Sequence, residues 1–156
     1  LSDRDAKLVI IRAAKHEGGK AQTQVRRVLK EQTGLGKYGF AMNLVRKIDP
    51  TFDNMRLIIQ ADGKETNIAL FGPRQTSKGI SAAPWGTRRL FAGSFLMRGD
   101  VWHRTSASRY PIRPLYGPNI ARELAKPYVV SVWMSSLVGM SDRILHELEQ
   151  VVLGRR

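Results

Sequence analysis

The stretch from Arg109 to Leu124 limits the fold most, because Pro111, Pro114 and Pro118 crowd into it beside Tyr110 and Tyr116. Proline holds φ near about −65° and pushes the residue before it toward extended backbone. Tyr110 and Arg113 are therefore predicted to be extended, in an arm that is stiff without hydrogen bonds of its own. Gly117 and Pro118 then turn the chain, and Pro118 suits the first position of a helix carrying Ile120, Leu124 and the Arg122/Glu123 pair. The residues before the arm must build a platform, and those after it are helical.

Ser2 with Asp3 and Asp5 reads as a loose capping box opening a helix. Leu8, Ile11, Ala14, Gly18, Ala21, Val25, Val28 and Leu29 recur at spacings of three and four, so one apolar stripe runs to about residue 31, and Thr33-Gly34 ends it. Gly18 and Gly19 in its middle mark either a kink or a close crossing by another backbone, and the crossing is the reading preferred. A short helix is predicted over residues 38–47, stopped by Asp49-Pro50. Alternation at Met55, Leu57 and Ile59, then Asp62-Gly63, predicts a hairpin from residues 55–61 into residues 66–71.

The polar run 74–78 is predicted to be an exposed loop. Further strands are expected near 79–83, 88–91, 95–97 and 101–104, with a type II′ turn at Gly99-Asp100. Beyond Lys126-Pro127 one long helix is expected, with Val130, Trp133, Leu137, Met140, Ile144, Leu148 and Val151 on one face. Val129, Val132, Met134 and Val138 widen that face beyond what one sheet would bury. The excess apolar surface fits either a deep groove of the chain itself or a subunit interface. The fold class is α+β: a mostly antiparallel sheet of four to five strands, packed on one face by the long N- and C-terminal helices, as a single domain over residues 1–156.

Charge is the strongest compositional signal. Lys and Arg number 26 against 13 Asp and Glu, a net +13, which calls for an anionic partner or acidic neighbours. Residues 1–50 carry 11 basic and 5 acidic side chains, residues 51–125 again 11 and 5, and residues 126–156 only 4 and 3. The C-terminal helix is thus the candidate packing surface. Arg26, Arg27, Lys30, Arg74 and Lys78 are the candidate contacts to a polyanion or acidic partner, with a solvated face as the alternative. In the arm, Tyr110, Arg113 and Tyr116 are candidate interface anchors, since these residue types concentrate binding energy; the alternative is a connector covering core edges.

Catalytic signatures are missing from the sequence. Residues 72–79 miss the phosphate-binding loop pattern, with Ser77 where glycine belongs and Gly79 where Ser or Thr belongs. His16, His103 and His146 lie far apart, acidic residues are scattered singly, and there is no cysteine. No catalytic residue, cofactor or metal is expected, nor a small-molecule substrate. The longest apolar run, 128–140, is too short for a bilayer span, so a soluble protein made in a reducing cytoplasm is expected. The chain opens on Leu1 rather than Met, and N-terminal residues are expected to be missing.

The arm Tyr110-Pro111-Ile112-Arg113-Pro114-Leu115-Tyr116-Gly117-Pro118, followed by Ala121-Arg122-Glu123-Leu124, resembles a segment of the minor tail protein Z family of tailed phages. Gly72-Pro73-Arg74-Gln75-Thr76-Ser77-Lys78-Gly79-Ile80 with Ala83-Pro84-Trp85-Gly86 is similar to that family's central loop and strand. Val25-Arg26-Arg27 through Thr33-Gly34-Leu35 is similar to the end of its first helix. The resemblance implies a non-enzymatic virion structural protein that completes the tail at its head-proximal end. It further implies a ring of copies, hexameric by the tail's symmetry, with tail terminator, tail tube or connector proteins as partners and DNA in the tail channel as a further contact. Without it, the residues indicate a soluble, basic, non-catalytic α+β protein suited to assembly or polyanion binding, with a basic nucleic-acid-binding module as the alternative function.

Overall fold

The computed structural model describes residues 2–36 and 43–154. Helix α1 (Asp3–Thr33) begins as the capping box predicts: Ser2 Oγ accepts from the Asp5 N–H at 3.1 Å, and the Asp5 carboxylate accepts from the Ser2 N–H at 3.1 Å. It ends at Gly34, whose left-handed φ of 75° lets its N–H reach the Lys30 carbonyl. The buried face carries Val9, Ile11, Ala13, Ala14, Gly18, Ala21, Val25 and Leu29, and also Glu17. No backbone crosses at Gly18. A Cβ there would lie 2.9 Å from the Leu57 side chain, while Gly19 faces open space.

Among the described residues the strands form three antiparallel sheets, not the single continuous sheet expected. β1 (Val45–Ile48) pairs with β2 (Ile58–Ala61); β3 (Arg74–Thr76), β4 (Gly79–Ala82) and β5 (Arg89–Ala92) form the second sheet. β6 (Ser94–Met97), β7 (Asp100–Arg104) and β8 (Ile112–Pro114) form the third. The expected helix over 38–47 lies partly outside the described residues, and from Val45 the chain is strand. Arg26 and Gln22 on α1 hold it there, both donating to the Val45 carbonyl, at 2.6 and 3.1 Å.

Residues 66–71 do not pair with β2. They form a 3₁₀ turn, Ile68–Leu70, capped by Asn67. Asn67 Oδ1 accepts from the N–H groups of Ala69 and Val101, and its Nδ2 donates to the Val101 carbonyl. One side chain therefore makes the contacts to β7 that a strand's backbone would have made. The run 74–78 is no free loop but a hairpin from β3 into β4. The turn between β6 and β7 is Arg98-Gly99, with φ of 53° and 88°, the signs of a type I′ turn and not II′.

Instead of standing free, the arm is the third strand of its sheet. β8 pairs with β7, Leu115 N–H donates to the Val101 carbonyl, and Gly117 N–H donates to the Thr66 carbonyl at 2.7 Å. Helix α2 (Ile120–Leu124) opens two residues after Pro118, with Asn119 Oδ1 accepting from the Arg122 N–H. The expected long C-terminal helix is broken into α3 (Pro127–Ser135) and α4 (Met140–Val152). Both pack on α1. Val25, Leu29, Leu35, Val45, Ile68, Phe71, Ile80, Val101, Ile120 and Val129 form the core between these layers.

Candidate assembly surfaces

Glu123 is the point at which distant parts of the chain meet. Its carboxylate is buried yet accepts from Trp85 Nε1 at 3.1 Å, from Lys126 Nζ at 2.7 Å and from Gln32 Nε2. Burial alone would raise its pKa; the donors from Lys126, Trp85 and Gln32 outweigh that and hold it below the ordinary value of 4.5. Beside this cluster, Gly34 packs so closely that a Cβ would lie 2.5 Å from the Ala83 carbonyl oxygen and 2.6 Å from the Gly86 nitrogen. The end of α1, the Pro84–Gly86 turn and α2 are thereby fastened into one unit.

A second buried carboxylate, Glu17, lies where α1 meets the α3–α4 corner. It accepts from Lys20 Nζ at 2.9 Å and is bonded to His16 Nδ1 at 2.8 Å. Lys20 first, then His16, lowers its pKa against the opposing effect of burial. Gly139 sits directly over it, a Cβ there falling 3.4 Å from Glu17 Oε2. On α4 itself, Arg143 Nη2 pairs with the buried Glu147 at 2.6 Å. Sequence reasoning missed all of these carboxylates; an acid inside an apolar stripe, as at Glu17, was the available signal.

The surface of α3 and of the turn that follows it, residues 136–139, is apolar outward as well as inward. Val129 is fully buried and Trp133 and Leu137 are half-buried, whereas Val130 is exposed and Met134 and Val138 reach 64% and 76% exposure. Val130 and Trp133 line a groove of about 270 Å³ with Ile59, Ala121, Leu124 and Val129. Val130 and Trp133 thus share one apolar groove, whereas Leu137 lies in the turn after α3 and is not among the groove's lining residues. Tyr110, Arg113 and Tyr116 are all exposed, along β8 and its flanks, on a different part of the chain.

The basic candidates divide. Arg26 is half-buried and bonded to the Val45 carbonyl, and its Nε is buried without a hydrogen-bond partner, so it fastens α1 to β1. Arg27 is exposed and Lys30 half-buried near the C-terminal end of α1; Arg74 and Lys78 are exposed on the β3–β4 hairpin. From residue 74 to residue 113 the chain carries Arg74, Lys78, Arg88, Arg89, Arg98, Arg104, Arg109 and Arg113 against Asp100 alone. The second and third sheets therefore carry more than half of the chain's net positive charge.

Among the described residues no group of three or more His, Cys, Asp or Glu side chains is placed to hold a metal ion. No helix among them is long and apolar enough to cross a membrane. Compared with protein-family models, with curated proteins and with solved structures, the chain gives no match in any of the three.

Proposed function

We propose that this chain is a structural protein of a phage tail, completing the tail at its head-proximal end as part of a ring that joins it to the head connector. The observation that carries the reading is the meeting at Glu123. Thr33-Gly34-Leu35, Ala83-Pro84-Trp85-Gly86 and Ala121-Arg122-Glu123-Leu124 are three of the stretches in which the sequence resembles tail-completion proteins. In the fold they touch one another, through Gly34 against Ala83 and Gly86 and through Trp85 and Gln32 on Glu123. Residues scattered along the sequence thus belong to one structural unit, as a shared architecture requires.

The surfaces fit an assembly role. An apolar outward face on α3 and exposed Tyr110, Arg113 and Tyr116 are the side-chain types of a protein contact. The positive sheets suit acidic neighbouring proteins or the DNA of the channel. The test is to purify particles of the source phage and identify their proteins by mass spectrometry, with and without this gene. The reading expects the chain in wild-type particles, and heads and tails left unjoined without it. Infectious, fully joined particles lacking the chain would overturn it.

A further inference from the structure

The third sheet has an unusual outer face. In an antiparallel sheet with one side on the core, the other side ordinarily alternates to polar residues. Here Val101 and Ser94 point to the core, being almost completely buried, and the register places Phe95, Met97, Trp102, Ile112 and Pro114 together on the opposite face. All are half-buried, so each keeps part of its surface in solvent. Arg104 shares that face, its guanidinium 5.1 Å from the centre of the Phe95 ring; the register also puts Asp100 there, paired with Met97 next to the exposed Arg98-Gly99 turn. The face is apolar with a mainly positive border.

Helix α4 carries the complementary pattern. Arg143 and Glu147 pair on its inner side, where it packs on α1. Outward, Asp142, Leu145, His146, Glu149, Val152 and Leu153 recur at helical spacing and are all exposed, Leu145 at 58% and Val152 at 66%. This stripe is apolar with acidic members, in a chain that is otherwise strongly basic. At 13 residues the helix is about 20 Å long, close to the length of about 17 Å for a five-residue strand such as β7.

We infer that α4 of one copy docks on the outer face of the β6–β7–β8 sheet of the next, with Leu145 and Val152 against Phe95, Met97 and Trp102, and Asp142 and Glu149 toward Arg98 and Arg104. The two surfaces are different patches, so the contact is head-to-tail and continues from copy to copy until the rotation closes a ring. The inference takes from the proposed function only that copies of the chain assemble in a ring. It supplies the pair of faces that would meet.

Two variants test it. One carries Leu145→Arg and Glu149→Arg and spoils the helix face; the other carries Arg98→Asp and Arg104→Glu and spoils the sheet face. All four side chains are exposed, and far-UV circular dichroism checks that each variant is folded. Sedimentation velocity should show concentration-dependent assembly of the wild type, and each variant alone should lose at least about tenfold in association constant. Mixed together, the variants retain one intact pair of faces and should form a one-to-one heterodimer that grows no further. Variants that assemble like the wild type, a mixture that stays monomeric, or a wild type that never associates would each overturn the inference. The first two results leave the tail role untouched and a wild type that never associates removes only its ring; presence or absence of the chain in particles decides the tail role separately.

Discussion

Trp85 Nε1 donates to Glu123 Oε1 at 3.1 Å, tying the turn after β4 to the first helix beyond the sheets. Trp85 itself is 43% exposed and has a left-handed φ of 54°. A large side chain is therefore held in an unfavourable backbone conformation while much of its ring remains in water. Its indole N–H on a buried carboxylate and the close packing of Gly34 against the same turn offset that strain.

Removing the carboxylate should loosen the unit. Glu123→Ala leaves the Trp85 and Gln32 donors without their acceptor, and a loss of about 2 kcal/mol is expected. Trp85→Phe keeps the ring and deletes one donor, so its loss should be smaller, about 1 kcal/mol. Urea denaturation of the variants beside the wild type measures both. Equal midpoints for all three would mean that the cluster contributes nothing to stability.

Glycine substitutions should separate by site. Gly34→Ala must place a Cβ 2.5 Å from the Ala83 carbonyl oxygen at a φ of 75°, and a loss of about 3 kcal/mol or more is expected. Gly19→Ala meets nothing within 4 Å in the middle of α1, and should gain about 0.5 to 1 kcal/mol from helix propensity. Thermal melts of the two variants should move in opposite directions.

Acid should weaken the fold through the same carboxylates. Glu17 and Glu123 both have pKa values below the ordinary 4.5. A group depressed in the folded state contributes its full stability above its unfolded pKa and loses it as pH falls through the folded one. Stability should therefore hold above about 4.5 and decline below it. The decline should be shallower in Glu123→Gln, which cannot take up the proton. Equal slopes in the two proteins would contradict this account of Glu123.

Both ends of α1 were legible in the sequence because the signals there are local: the Ser2/Asp5 box and the Gly34 stop involve neighbours in the chain. The strands 79–82, 89–92, 94–97 and 100–104 were legible for the same reason, being bounded by their own turns. The break between α3 and α4 was hidden. Leu137, Val138 and Met140 make N–H bonds to residues three earlier, so the chain tightens there without upsetting the three-and-four spacing of its apolar residues. Ser135 and Ser136 both donate from Oγ to the Val132 carbonyl, which also accepts from the Ser136 N–H, so the last turn of α3 is tied back on itself by local side-chain bonds.

Sheet partnership was equally hidden. The Val45 carbonyl at the start of β1 is held by Arg26 and Gln22 of α1, and the backbone of residues 66–68 is paired with Leu115–Gly117 of the arm and not with β2, while the Asn67 side chain bonds β7. Long-range contacts by single polar side chains leave no periodicity to read. Of the candidate site residues, the apolar surface around Val130 and Trp133 was visible as an excess of hydrophobic residues. Arg26 looked like its basic neighbours, and only its packing against β1 distinguishes it.

The surface assignments can be tested by charge. Trp133→Asp places a carboxylate at the apolar groove beside Val129 and should abolish assembly into tails; normal complexes from that variant would make the face purely internal. Reversing Arg74 and Lys78 to Glu on the exposed β3–β4 hairpin should lower the yield of completed tails while leaving the melting temperature within a few degrees of wild type. An unchanged yield would remove these two residues from the docking surface.

The proposed tail role is tested most directly by electron cryo-microscopy of intact virus particles prepared from the source of this chain. The account predicts density for this fold as a closed ring at the head-proximal end of the tail, with α4 of each copy on the β6–β7–β8 face of its neighbour. Particles complete at that end but with no density for the chain would contradict the central claim. Steeply salt-dependent binding of the isolated chain to duplex DNA would then identify it as a nucleic-acid-binding module instead.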